Sequence, residues 1–178
     1  MIKIAQRRLV RSCLILIIPF LTTSCVSYAP SIPEGYQGPL AFVQDTATRI
    51  DDGAFDLFYL TAIDGREILN SYTRTQSASS GMGNRLLTRM HESQVQAGQR
   101  TLTLVGRTAY AMPARAWTST VFEVTGDVEI VLEETVVYEI KGELGEESSK
   151  VWIEEHSSGR VLGMVEVEGR STLGFFEK

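Results

Sequence analysis

From Asp56 to Ile63 the chain alternates with a period of two. Leu57, Tyr59, Thr61 and Ile63 fall in one phase, and Phe58, Leu60 and Ala62 in the other. Successive side chains of a strand point to opposite faces, so this pattern predicts a strand. Its β-branched and aromatic residues argue against a helix. Asp64-Gly65 then supplies the two positive-φ positions of a type I′ turn, and Arg66–Leu69 returns. Asp56–Asn70 is therefore predicted to be a β-hairpin. A chain with one strand of this kind must bury it against others.

The same period recurs along the chain. Strands are predicted at Ala41–Thr48, Arg100–Thr108, Thr120–Leu132, Val136–Gly142, Lys150–Glu154 and Val161–Glu168. Leu86–Val95 reads as a strand, with a helical turn as the alternative. Ser71–Arg85, rich in Ser, Thr and Gly, reads as a long exposed loop, and Tyr110–Thr120, with Pro113 and Trp117, as a surface connection. No helix longer than two turns is expected. Strands at 8–12 residue spacing with turn residues between them indicate an all-β fold. We expect an antiparallel β-sandwich of about seven or eight strands. A barrel is the less favoured arrangement, because Gly126 and Gly142 read as bends.

The N-terminus carries a second signal. Lys3, Arg7, Arg8 and Arg11 are the charges of the first 24 residues, and an apolar run from Cys13 to Leu21 follows. A basic start, a short apolar core and small residues at the end describe an export signal. The run is too short for a membrane span, which needs about 20 apolar residues. The residues before Cys25 resemble the lipobox of bacterial lipoproteins through Thr23 and Ser24, with Leu21 one place early and Thr22 in the usual Leu position. The resemblance implies a lipidated Cys25, and Val26 after it implies the outer membrane, facing the periplasm. Acyl chains contribute about 0.8 kcal/mol per buried CH₂, enough for two or three chains to hold a protein at a membrane. The expected division is a signal peptide at 1–24, a lipidated cysteine and flexible tether at 25–39, a sandwich domain at 40–169 and a tail at 170–178.

Removal of such a signal leaves 13 basic and 22 acidic residues. That balance argues against nucleic acid as a partner. The cysteines are Cys13 and Cys25. The domain would therefore hold together without a disulfide and offers no cysteine nucleophile or cysteine metal site.

From Ala97 to Val167 the chain resembles a family of small, uncharacterised lipoproteins of Gram-negative bacteria. The resemblance rests on Ala97-Gly98 before Thr101-Leu102-Thr103-Leu104, and on Tyr138-Glu139-Ile140-Lys141-Gly142-Glu143-Leu144. It continues in Lys150-Val151-Trp152-Ile153-Glu154-Glu155 and Ser158-Gly159-Arg160-Val161. The family pattern is Y-x-V-K-G-E-L, then V-W-I-E-D and T-G-x-V, with Glu155 and Ser158 here replacing its Asp and Thr. It implies a β-sandwich lipoprotein and no known activity.

The chemistry-bearing residues are sparse. Asp51-Asp52, Glu133-Glu134, Glu146-Glu147 and Glu154-Glu155 are neighbours, and neighbours in a strand face opposite ways. His91 and His156 lack a partner at metal-ligand spacing. Gly81-Met82-Gly83-Asn84 does not open a helix after a strand, as a phosphate loop would. Neither a catalytic residue nor a metal or cofactor site is expected. Trp152 is expected in the core, between Val151 and Ile153. Tyr110 and Trp117 are the expected partner contacts, because interfaces are enriched in aromatic residues. The reading is a membrane-anchored, non-enzymatic binding or structural domain with an envelope or cell-wall partner. The alternative is a hydrolase of cell-wall or carbohydrate substrates that works through acidic residues.

Overall fold

The computed structural model describes residues 28–169 and 171–174. The export signal and Cys25 lie outside the described residues. No helix among the described residues is long and apolar enough to cross a membrane.

Ten strands and two helices follow one another. Leu40–Gln44 (β1) and Thr46–Asp51 (β2) precede Ala54–Ile63 (β3) and the two-residue Arg66–Glu67 (β4). Helix Ser71–Ser79 (α1) leads to Glu92–Gln96 (β5) and Gly98–Tyr110 (β6). Helix Pro113–Thr118 (α2) is followed by Glu123–Leu132 (β7), Val137–Glu143 (β8), Ser148–Glu155 (β9) and Val161–Glu168 (β10). One sheet has the order β10-β9-β8-β1-β5. The other runs β2-β3-β6-β7, with β4 on β3. The fold is an all-β sandwich, as expected, and its pairs are antiparallel except β1 with β8. That pair is parallel because the chain leaves β1 for the other sheet and comes back to its edge from the same end.

The strand number exceeds expectation for a local reason. The predicted Ala41–Thr48 strand breaks at Asp45, so β1 lies in one sheet and β2 in the other. The strands read separately as Leu86–Val95 and Arg100–Thr108 are parted by Ala97 alone, and β5 and β6 likewise lie in different sheets. The hairpin forms where it was read, with Asp64 at φ 50° and Gly65 at φ 73°. Gly126 and Gly142 are not bends. Both sit in unbroken ladders, where a side chain from the facing layer presses on them, Val165 at Gly126 and Phe58 at Gly142.

The main core lies between the sheets. Phe58, Leu60, Leu102, Leu104, Tyr138, Ile140, Val151 and Ile153 are all buried there. Fully burying such a side chain contributes about 1.5–3 kcal/mol. Alternation would place Ile63 with Leu57 and Tyr59, but a register shift between Leu60 and Ala62 turns it into the main core. Leu57, Tyr59, Val105, Leu86 and Ala109 form a second cluster on the opposite face of β3 and β6.

What covers that second face is the element missed by the sequence reading. Ser71–Arg85 is not a loop throughout, because it opens with α1. Asn70 caps this helix, its Oδ1 accepting from the Thr73 N–H at 3.0 Å. The helix has no apolar stripe. Ser71, Thr75 and Ser79, four residues apart, form its buried face. Leu86–Val95 forms a strand only from Glu92, and Tyr110–Thr120 contains α2.

Both ends of the described chain are tied to the sandwich. Ala29 bridges Ile68, and its N–H donates to the Glu67 carbonyl at 2.8 Å, so this part of the expected tether lies on the hairpin. Thr172 bridges Phe122, and Leu173 N–H donates to the Val121 carbonyl at 3.0 Å.

Candidate functional site

Strand β6 reaches beyond the start of β7, and there its end meets both helices. The outer phase of β6 carries Val105, Arg107 and Ala109, with Val105 and Ala109 in the second cluster. Tyr72 of α1 packs on this cluster, its ring 6.1 Å from that of Tyr59 and nearly parallel to it. The Arg107 guanidinium lies 4.9 Å from the Tyr72 ring centroid, and its Nη1 donates to Glu123 Oε2 at 2.6 Å. Cation and carboxylate thus cancel one another where β6 meets β7.

Helix α2 is the third wall. It is six residues long, and none of them is buried. Its anchor is Arg115, whose two terminal nitrogens donate to both Asp51 carboxylate oxygens, at 2.9 and 2.5 Å. Such two-pronged pairing fixes orientation as well as distance. The same pairing, with the Gly53 N–H on Asp51 Oδ1, holds the Asp51 carboxyl down to about 2. Arg115 also stands 5.1 Å over the Tyr110 ring, and Tyr110 donates its hydroxyl to the Thr120 carbonyl at 2.7 Å.

Between α1, β6 and α2 lies a cavity of about 280 Å³. Tyr72 and Gln76 line it from α1, and Arg107, Thr108 and Tyr110 from β6. Pro113, Ala116 and Trp117 contribute from α2, with Val121 closing the end. Tyr110 and Trp117, the two aromatics singled out in the sequence, therefore face the same space. Trp117 remains 55% exposed. A second hollow of about 400 Å³ shares Gln76 and Pro113 with the first and continues past Ser79, Gly81 and Gly83. The two hollows adjoin at Gln76 and Pro113, and together they are called the groove.

The lining of the first cavity includes no carboxylate, histidine, serine or cysteine among the described residues. Its charged side chain is Arg107, already paired with Glu123. Below it, Thr108 Oγ1 donates to Asp56 Oδ1 at 2.7 Å, and burial raises the Asp56 pKa against that bond.

A second polar centre positions α1. Asp45, at the crossing from β1 to β2, is 6% exposed. Its Oδ1 accepts from the Leu60 N–H at 3.0 Å, and its Oδ2 from Ser71 Oγ at 2.5 Å. Burial pushes its carboxyl up to about 7, against these bonds and the nearby Arg74 charge. The readable signal for Asp45 was phase, since it follows Ala41 and Val43 at an inward position of the strand. Thr75 Oγ1 and Ser79 Oγ hold the same helix to the following segment by accepting from the Arg89 and Leu87 N–H groups, both at 2.9 Å.

The other residues weighed from the sequence lie apart from this cavity. Trp152 is not in the core. Val151 and Ile153 point inward, and Trp152 is half-buried on the opposite face, donating to Glu154 Oε2 at 2.7 Å under Lys150. The prediction failed because, among the described residues, no second layer covers this face of the sheet. Glu154 is held by Lys141 at 2.8 Å, and His156 Nδ1 lies 2.8 Å from Glu139. Burial lowers the His91 pKa, with Arg74 adding to it. No group of three His, Cys, Asp or Glu side chains among the described residues could hold a metal. Gly81 and Gly83 follow the end of α1 rather than opening a helix. Tyr72 and Gln76 were missed, because a helix without an apolar stripe hides its contact face in sequence, and Arg107 was missed because an outward charge on a strand reads as a solvated one until α1 is seen to pack beside it.

No family model matches the chain, and neither a curated protein nor a solved structure does.

Proposed function

We propose that the chain is an exported lipoprotein anchored through Cys25, whose sandwich is a non-enzymatic binding domain, with the cavity between α1, β6 and α2 as its binding site. The observation that carries the binding reading is the meeting of Tyr72, Tyr110 and Trp117 around a cavity lined by Arg107, Gln76 and Thr108. Aromatic walls with a few placed polar groups are the usual make-up of a small-ligand site. The lining residues favour binding over hydrolysis, since none of them is a carboxylate, histidine, serine or cysteine, and the Thr108 hydroxyl is committed to Asp56 at 2.7 Å. An envelope location rests on the export signal, on the cysteine that follows it, and on the resemblance to Gram-negative lipoproteins. The partner is accordingly an envelope or cell-wall component.

Hydrogen exchange of the full chain in its native membranes, set against the purified protein in detergent, tests this. Protection of α1, α2 and the end of β6 in membranes, lost in Trp117→Ala, is the expected result. Equal exchange of these segments in both settings would remove the binding reading.

A further inference from the structure

We propose that the groove binds a neutral glycan, one sugar ring seated against Tyr110 and Trp117 and the next units running past Gln76 toward Gly81. This rests on the cavity being a binding site, as proposed above, and names its ligand class.

Three observations converge on it. The first is charge. Arg107 is neutralised by Glu123 at 2.6 Å and Arg115 by Asp51 at 2.5 Å, so the walls offer no uncompensated charge to an ionic ligand. The chain's net charge of −5 further disfavours an acidic one. The second is surface chemistry. A sugar ring has an apolar C–H face that packs on an aromatic ring and an equator of hydroxyls that need planar or hydroxylic partners. Tyr110 and Trp117 supply the first, and Gln76 and the Arg107 guanidinium the second. The third is shape. The first hollow, about 280 Å³, falls just below the range of drug-sized ligand sites, which run from about 300 to 1,000 Å³. It admits one compact unit, and the adjoining hollow of about 400 Å³ admits a continuation. A chain of small rings fits that division. A proline-rich peptide docks instead on an open aromatic-lined strip.

Trp117 is itself the reporter. In a Trp152→Phe background the emission of the full chain in detergent comes from Trp117 alone. The probes are the trimer of N-acetylglucosamine, maltotriose, trigalacturonate as the acidic control and hexaproline as the peptide control. A saturable shift with a neutral trisaccharide is expected. Gln76→Ala and Tyr110→Ala should each weaken it by about tenfold, with Tyr110→Phe restoring binding and the melting temperature of Gln76→Ala unchanged. A saturable shift with hexaproline or trigalacturonate and none with the neutral sugars would overturn the glycan assignment while leaving a binding site. No shift with any probe also overturns it, and the exchange experiment above then decides separately whether the cavity binds at all.

Discussion

Ser71 Oγ donates a hydrogen bond to Asp45 Oδ2 at 2.5 Å, joining the first residue of α1 to the point where the chain crosses between sheets. The contact is buried at both ends, Ser71 being 0% exposed. It sets where α1 lies, and α1 carries Tyr72 and Gln76 into the cavity wall.

The Asp45 carboxyl predicts a pH dependence with a definite sign. Its pKa in the fold is about 7, above the ordinary 3.8, so the protonated form is the one the fold favours. Its stabilising contribution is fully present below about pH 4 and is lost as pH rises through 7. Asp45→Asn should therefore be less stable than or level with wild type at pH 4, and should gain on it by about 2–4 kcal/mol by pH 8. Carboxylates with lowered pKa, such as Asp51 and Glu139, work in the opposite direction in both proteins and cancel in the difference. Urea midpoints of both proteins across this range check it. A gap that does not change with pH would show that Asp45 is ionised throughout.

Two glycines separate two kinds of cost. At Gly65 a Cβ would meet nothing within 4 Å, so only its φ of +73° opposes a side chain. Gly65→Val should cost about 1–2 kcal/mol through backbone strain. At Gly142 a Cβ would run into the Phe58 ring and meet the Lys150 carbonyl oxygen at 2.6 Å. Gly142→Ala should cost about 3 kcal/mol or more, because two layers must move apart. Thermal unfolding of the pair should rank Gly142→Ala as the worse, and a reversed order would contradict the packing of β8 on β3.

The tryptophans should both tolerate truncation. Trp152→Ala loses an outer-face ring with a hydrogen bond to Glu154, and should cost about 1–2 kcal/mol rather than the 3–5 of a core tryptophan. Trp117→Ala, more than half exposed, should stay within about 1 kcal/mol of wild type. Calorimetric melts of the two variants decide this; an unfolded Trp152→Ala protein would put that ring back in the core.

Lipidation gives the fourth test. Cys25→Ala should abolish incorporation of labelled palmitate and release the protein from the membrane fraction. Labelling equal to wild type would end the lipoprotein reading.

By itself the sequence determined the fold class, the hairpin and most strand positions. Period-two alternation in Ala54–Ile63 and the Asp64-Gly65 pair are local facts, and strands and tight turns follow from local geometry. It also singled out Tyr110 and Trp117 as aromatics outside the strand pattern. Tertiary structure decided the rest. Whether Trp152 is covered depends on a layer that no stretch of chain specifies, and among the described residues it stays half-buried. That Ser71, Thr75 and Ser79 form a helix depends on Asp45 and on the backbone of Leu87 and Arg89 to receive their hydroxyls. Polar residues can satisfy their hydrogen bonds in a loop or a helix alike, so composition does not choose between them. The cavity depends on the same choice, because two of its walls are helices placed by long-range polar contacts: Asp45 with Ser71 and Asp51 with Arg115.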